Sequence, residues 1–398
     1  MSSADGTGGR PGGGAQRASP VHFVMPGDVD DPASPSGGNA YDRRMCRELA
    51  AAGRPVGEAA LPGGWPDPGP SARSALEREL AGLPDGSVVL VDGLVACGVP
   101  EIVVPETGRL RVAVLMHLPL ADETGIEPGL AARLEELEGR TLRAAHAVVA
   151  TSDWAARDVR HRHGLDPRRV HTVCPGTDPA PLARGTDGAS RLLCVAAVTR
   201  RKGQADLARA LAEVADTPFT CEFAGALDRD PAYTEELRGV LRDAGLEDRV
   251  QLSGPLTGRP LAEAYDAADL FVLASHAETY GMVFTEALSR GIPVLATAAG
   301  AVSDTVGTAP DGSVPGILVP PGDAGALAGA LRRWLTEPTI RRLVTTSARR
   351  RRAGLQGWPG ASQRLDEVLE SLRGERPDAP EPSVPPDDGA RHEDRRTP

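Results

Sequence analysis

Cysteine is sparse in this chain of 398 residues, and lysine is scarce beside abundant alanine, arginine, glycine and proline, a bias of GC-rich coding. The five cysteines are Cys46, Cys97, Cys174, Cys194 and Cys221. The number is odd and no two stand at C-x-x-C spacing, which argues against a disulfide framework or a zinc site and for a reducing cytoplasm. Basic charge is in deficit: the net charge is −11 at pH 7, the reverse of what a nucleic-acid binder usually carries. No apolar run approaches the ~18 residues of a membrane span. Residues 1–19 are rich in Gly, Ser and Arg without an apolar core, so no signal peptide is expected.

What is present is a repeated alternation of short apolar strands with helical patterns. VHFVM at 21–25, SVVLV at 87–91, RVAVLM at 111–116 and the strand 147–150 precede a Pro/Gly loop at 175–190. The alternation then restarts at LLCVAAV, 192–198, and continues through 220–224, 249–253, 270–274, 292–297 and 316–320. Strands alternating with helices imply parallel sheets covered on both faces. The expected class is α/β with two Rossmann-like domains facing across a cleft. Expected divisions are a disordered tail at 1–19, domains at 20–178 and 179–358, a terminal helix at 359–373 packing back on the first domain, and a disordered acidic, Pro-rich tail at 374–398. Residues 54–72 are Pro/Gly-rich, and a helix is expected from Ala40 to Ala52.

The chemistry-bearing residues gather where strands run into loops. In ADLFVLASHAETYGMVFTEALSRGIPVLATAAG, 268–300, a buried strand leads to a polar loop and then to a helix that starts after Gly281. The amides of Gly281, Met282 and Val283 would point out of that helix start and favour an anion. Glu278 and Glu286 flank it with seven residues between them, and carboxylates there suit sugar or ribose hydroxyls. Arg200, Arg201 and Lys202, closed by Gly203, lie between a strand and a helix and form a candidate diphosphate clamp. His117 stands at a strand tip before a proline-stiffened loop, and Asp122 to Gly125 extend that loop toward a hydroxylated acceptor. Gly37 and Gly38 would let backbone approach a ligand closely. Asp228-Arg229-Asp230 has the D-x-D form of a metal pair, but it stands in a Pro-terminated turn and is rejected. The arginine run 349–352 reads as a solvated helix face, with a membrane-surface or phosphate contact as the alternative.

In combination, PSGGN at 35–39, HLPL at 117–120, RRKG at 200–203, ETYGMVFTEAL at 278–288, GIPVLAT at 291–297 and GILVPPGD at 316–323 resemble family 4 of the retaining glycosyltransferases, over residues 20–372. The resemblance implies the GT-B fold and hexosyl transfer with retention, from a nucleoside-diphosphate sugar to the hydroxyl of a small molecule, glycan or lipid headgroup. It implies no resident cofactor and no metal. His117, Lys202 and Glu278 would be the catalytic residues. Gly38, Arg201, Lys202, Gly281, Met282, Val283 and Glu286 would bind the donor, with Glu286 on the ribose and 252–256 near the base. Uridine and guanosine diphosphates are the carriers that the family implies. The family often has Gly-Arg where this chain has Ala196-Ala197, so the phosphate ligand falls to Arg200 or Arg201. A GT-B epimerase or phosphorylase and a non-catalytic binding homologue are the alternatives. The expected location is the cytoplasm, with peripheral association at the inner membrane surface left open.

Overall fold

The computed structural model describes residues 19–31, 35–123 and 125–374, so nearly all of the two expected tails, and Thr124, lie outside the described residues. Among the described residues twelve strands form two six-stranded sheets, parallel at every pairing. The first sheet holds β1 (Val21–Pro26), β2 (Val56–Leu61), β3 (Val88–Asp92), β4 (Arg111–Met116), β5 (Ala147–Ala150) and β6 (Val170–Thr172), in the order β2-β1-β3-β4-β5-β6. The second holds β7 (Arg191–Val195), β8 (Thr220–Ala224), β9 (Val250–Gly254), β10 (Leu270–Leu273), β11 (Val294–Thr297) and β12 (Gly316–Val319), in the order β12-β11-β10-β7-β8-β9.

The central strands are buried on both faces, which is why they read as unbroken apolar runs. In β4, Val112, Val114 and Met116 join one core while Ala113 and Leu115 join the other. Strand β2 lies at the sheet edge with a half-exposed sequence, VGEAAL, and no apolar run announces it. It falls in the stretch 54–72, which the sequence marks only as Pro/Gly-rich. The helices Gly93–Ala96 and Pro100–Glu106 are likewise unannounced by the sequence pattern.

The first sheet's second core includes Trp358, Ala361, Leu365, Leu369 and Leu372 of the helix Trp358–Gly374. The chain's last described helix therefore covers the first sheet, packed beside the helix Gly37–Ala51. Arg54, 7% exposed, fastens it through Asp366 at 2.6 Å and Glu370 at 2.9 Å. This helix starts one residue before the expected 359, and Gly374 belongs to it rather than to a tail. The arginine run is not merely solvated: Arg351 donates to Val306 O, and Arg352 donates to Ser289 O and Ala180 O. Among the described residues no helix is long and apolar enough to cross a membrane.

Candidate functional site

Each sheet has one point where its strand order reverses, and loops leaving neighbouring strands in opposite directions open a crevice there. In the first sheet this is between β1 and β3; in the second it is between β7 and β10. All of the expected site residues except His117 lie on segments leaving β1, β7 or β10. His117 follows the neighbouring strand β4, and Glu286 lies on the second turn of the helix entered from β10.

The loop after β7 and the loop after β10 are stitched together. His276 N donates to Arg201 O at 2.8 Å, and Lys202 Nζ donates to Glu278 Oε1 at 2.7 Å. A side chain at Gly203, whose φ is +65°, would meet Ala274 O at 2.1 Å, so only glycine allows this approach. Ser275 Oγ also donates to Glu278 Oε1 at 2.7 Å. Burial pushes the Glu278 carboxyl up, but Lys202 and Arg201 outweigh it and hold it below the usual range. Burial lowers Lys202 below the usual amine range, against the raising effect of Glu278. Lys202 is the one lysine in the whole sequence. A compact ammonium is kept at this point in a chain that otherwise uses the broad, planar guanidinium.

Arg200 and Arg201 diverge. Arg200 pairs with Glu236 at 2.9 Å and stacks over the Tyr233 ring, 5.3 Å from its centroid. Arg201 stays beside Lys202, its Nη1 donating to Ala277 O at 3.4 Å while its buried Nε has no partner. Of the two, Arg201 is oriented toward the Lys202–Glu278 pair. Ala196 and Ala197 offer only backbone: Gln204 Nε2 donates to Ala197 O at 2.9 Å.

Gly281 caps the helix Met282–Ser289 with φ +86°, where a Cβ would lie 2.6 Å from the Phe284 ring. Glu286, on the next turn, accepts from Tyr265 Oη at 2.8 Å, and burial raises its carboxyl. The Arg290 guanidinium lies 4.5 Å from the centroid of the same tyrosine ring.

The loop between Glu278 and Gly281 also reaches the first sheet. Thr279 Oγ1 donates to His117 O at 2.6 Å, and Ser152 Oγ donates to Thr279 O at 2.5 Å. Gly38 lies against the His117 ring, a Cβ there coming within 3.1 Å of Cδ2. Gly37 and Gly38 are the first turn of the helix Gly37–Ala51, capped by Ser36, rather than a free loop as expected. Met282 Sδ would be 3.9 Å from a Cβ on Gly37. His117, Gly38, Thr279 and Met282 thus meet where the two halves face each other.

Sequence reasoning missed what stands behind His117. Its Nε2 lies 2.7 Å from Asp42 Oδ1 and 3.4 Å from Asp92 Oδ2. Asp42 occupies the buried face of the 37–51 helix with Met45, Cys46 and Leu49, three, four and seven residues on. An acid at a core position of an amphipathic helix was the available signal.

Two family models match successive parts of the chain: Glycosyltransferase Family 4 over residues 108–181 and Glycosyl transferases group 1 over 189–337. Sucrose-phosphate synthase from Thermosynechococcus elongatus shares the fold with a TM-score of 0.72 at 23% identity, covering 89% of this chain and 99% of that one. HepE from Anabaena, solved with UDP and glucose, does so with a TM-score of 0.68 at 18% identity, covering 88% and 99%. The architecture is GT-B. The chain belongs to the family 4, or group 1, glycosyltransferases. It is similar to the D-inositol 3-phosphate glycosyltransferase of Kineococcus radiotolerans, 32% identical over 254 residues and 58% of each chain. It is also similar to that of Nocardiopsis dassonvillei, 30% identical over 283 residues, 66% of this chain and 63% of that one. It spans less than two thirds of the length of these relatives.

Proposed function

We propose that this chain transfers a hexosyl group from a nucleoside-diphosphate sugar to an acceptor hydroxyl, with retention of anomeric configuration. The observation that carries the reading is the Lys202–Glu278 pair, 2.7 Å apart at the crevice between β7 and β10 and joined through Thr279 to His117. Breaking the sugar–phosphate bond leaves negative charge on the diphosphate. Lys202, Arg201 and the amides of Gly281, Met282 and Val283 are the groups that stabilise it as it develops. An incoming diphosphate competes with Glu278 for the ammonium, and Glu278 then turns its lone pairs to sugar hydroxyls. Glu286, oriented by Tyr265, accepts from the ribose. The sugar passes through an oxocarbenium-like state. The acceptor hydroxyl attacks the face that the diphosphate leaves, and a phosphate oxygen takes its proton.

HepE is solved with UDP and glucose, which makes UDP-glucose the first donor to test. The relatives act on D-inositol 3-phosphate by name, which makes a phosphorylated polyol the first acceptor class. Lys202 and Arg201 supply the charge that a metal would otherwise bring, so turnover is expected to survive EDTA. Five free cysteines suit work in the cytoplasm.

The test is a thermal-shift panel of nucleotide sugars, followed by transfer assays with the selected donor. A ligand that binds the folded form raises its stability by RT ln(1 + [L]/Kd), so a selective rise identifies the donor. No rise with any nucleotide sugar would overturn the reading. Epimerised sugar released without acceptor would replace transfer with epimerisation.

A further inference from the structure

We propose that Asp42 and Asp92 share one proton and thereby hold His117 as a neutral imidazole, protonated on Nε2, whose Nδ1 accepts a hydroxyl of the bound sugar. The contact with sugar rests on the glycosyl-transfer reading; the shared proton does not.

One atom behind the imidazole is orphaned. Asp42 is fully buried at 0% exposure and Asp92 nearly so at 4%. Asp42 Oδ1 faces His117 Nε2 at 2.7 Å, but Asp42 Oδ2 has no donor. The carboxyl of Asp92 stands close by, an oxygen of each acid and a nitrogen of His117 lying within 4.8 Å of one another, and it accepts from Leu94 N at 2.6 Å. Two ionised carboxylates cannot satisfy each other in a buried site, because neither has a hydrogen to give. One proton between them turns the clash into an O–H···O hydrogen bond.

Among the described residues no cation competes for that position. Arg43, next in sequence, is taken by Asp30 and Glu58 on the outer side of the helix. Tyr41 meets the His117 ring edge-on at 5.3 Å and spends its hydroxyl on Val173 O. Glu123, in the loop after His117, is the remaining acid that faces the imidazole.

The same proton could instead sit on His117, giving an imidazolium between two carboxylates. That form carries the same net charge but leaves two ionised acids side by side in a buried site, with Asp42 Oδ2 still without a donor. Burial acts the same way on all three groups. It pushes Asp42 up to about 8 and Asp92 well above the carboxylate range, and it lowers His117. With the proton in the acid pair, Nε2–H donates to Asp42 and the Nδ1 lone pair is left for a ligand. The ring reaches the cleft, its side chain 19% exposed. Asp42 and Asp92 are positioning residues: they act through His117.

Long-range nitrogen NMR of the 15N-histidine-labelled full chain reads the tautomer directly, with His117→Gln assigning the signal. The expected spectrum at pH 7 is neutral His117 with its proton on Nε2, unchanged in Asp42→Asn, whose amide reproduces the protonated acid. An imidazolium or an Nδ1–H tautomer at pH 7 would overturn the proposal. So would added Zn²⁺ or Mn²⁺ that shifts His117 and stabilises the wild type but not Asp42→Asn, since the acid pair would then hold a cation. In the ligand arm, Asp42→Asn keeps UDP-glucose affinity. Asp42→Ala loses several-fold to about tenfold, the scale of one neutral hydrogen bond. Equal affinity in Asp42→Ala, folded by circular dichroism, would overturn the positioning role. A wild type with the expected tautomer that binds no nucleotide sugar would sink the transfer reading and leave the shared proton standing.

Discussion

Lys202 donates to Glu278 from the opposite side of the β7–β10 crevice, and the two side chains are only 18% and 5% exposed. Removing one partner of such a pair leaves the other charge buried and alone, which costs about 3–5 kcal/mol. Lys202→Ala is therefore expected to lower both stability and transfer, the latter by about 100-fold or more if the ammonium stabilises the leaving diphosphate. The pair separates these effects. Glu278→Gln/Lys202→Met, which removes both charges, should recover stability in urea melts but no transfer. Because Lys202 is the one lysine, an amine-directed reagent modifies only it and the chain's amino terminus. Peptide mapping should show UDP-glucose protecting Lys202 alone; equal labelling with saturating donor would remove Lys202 from the donor site.

The buried acid pair makes stability depend on pH, with a definite sign. In the folded chain Asp42 keeps its proton up to about 8. Unfolded, it loses that proton in the ordinary aspartate range, about 3.9. Between these values the native state binds more protons, so stability falls as pH rises and levels off above the upper one. The amide introduced by Asp42→Asn does not titrate. The stability difference between Asp42→Asn and wild type, measured by urea melts at several pH values, should therefore grow in favour of the variant from pH 5 to pH 8. Parallel curves would show that no extra proton is held.

Two glycines should respond oppositely to alanine. At Gly203 a Cβ would strike Ala274 O, and its φ of +65° disfavours any side chain. Gly203→Ala should cost at least about 1–3 kcal/mol, the range of such local strain, and should separate Lys202 from Glu278. Gly239 lies inside the helix Pro231–Asp243 with nothing within 4 Å of a Cβ. There alanine should add about 0.5–1 kcal/mol through helix propensity, with unchanged transfer. Equilibrium melts of the two variants check both signs.

Tyr265 Oη is the hydrogen-bond donor that orients Glu286. Tyr265→Phe should weaken donor binding by about tenfold, the scale of one hydrogen bond to a charged group. If Glu286 accepts from the ribose, wild type should bind the 2′- or 3′-deoxyribose form of the donor less tightly than the parent, and Tyr265→Phe should narrow that gap. Calorimetric titration with both donors measures it; an unchanged gap would move the ribose contact elsewhere.

Much of the fold is readable along the chain because parallel strands buried on two faces write themselves as apolar runs. RVAVLM at 111–116 is one, and it becomes β4 with its residues shared between two cores. Edge strand β2 is not readable, since VGEAAL meets solvent along one side and needs no such run. The start of the 37–51 helix is hidden because two glycines weigh against helix, and Ser36, by accepting from Asn39 N, overrides them.

The sequence by itself determined the fold class and the loop motifs, because turn glycines, strand runs and a basic cluster before a helix are local, carried by a few adjacent residues. Only the tertiary structure decided which arginine turns toward Lys202, that Glu278 is already paired, and that Asp42 and Asp92 stand behind His117. Asp42 and His117 are 75 residues apart in sequence and 2.7 Å apart in space. Such contacts depend on strand order, and no local pattern encodes the reversal between β1 and β3 that brings these side chains together.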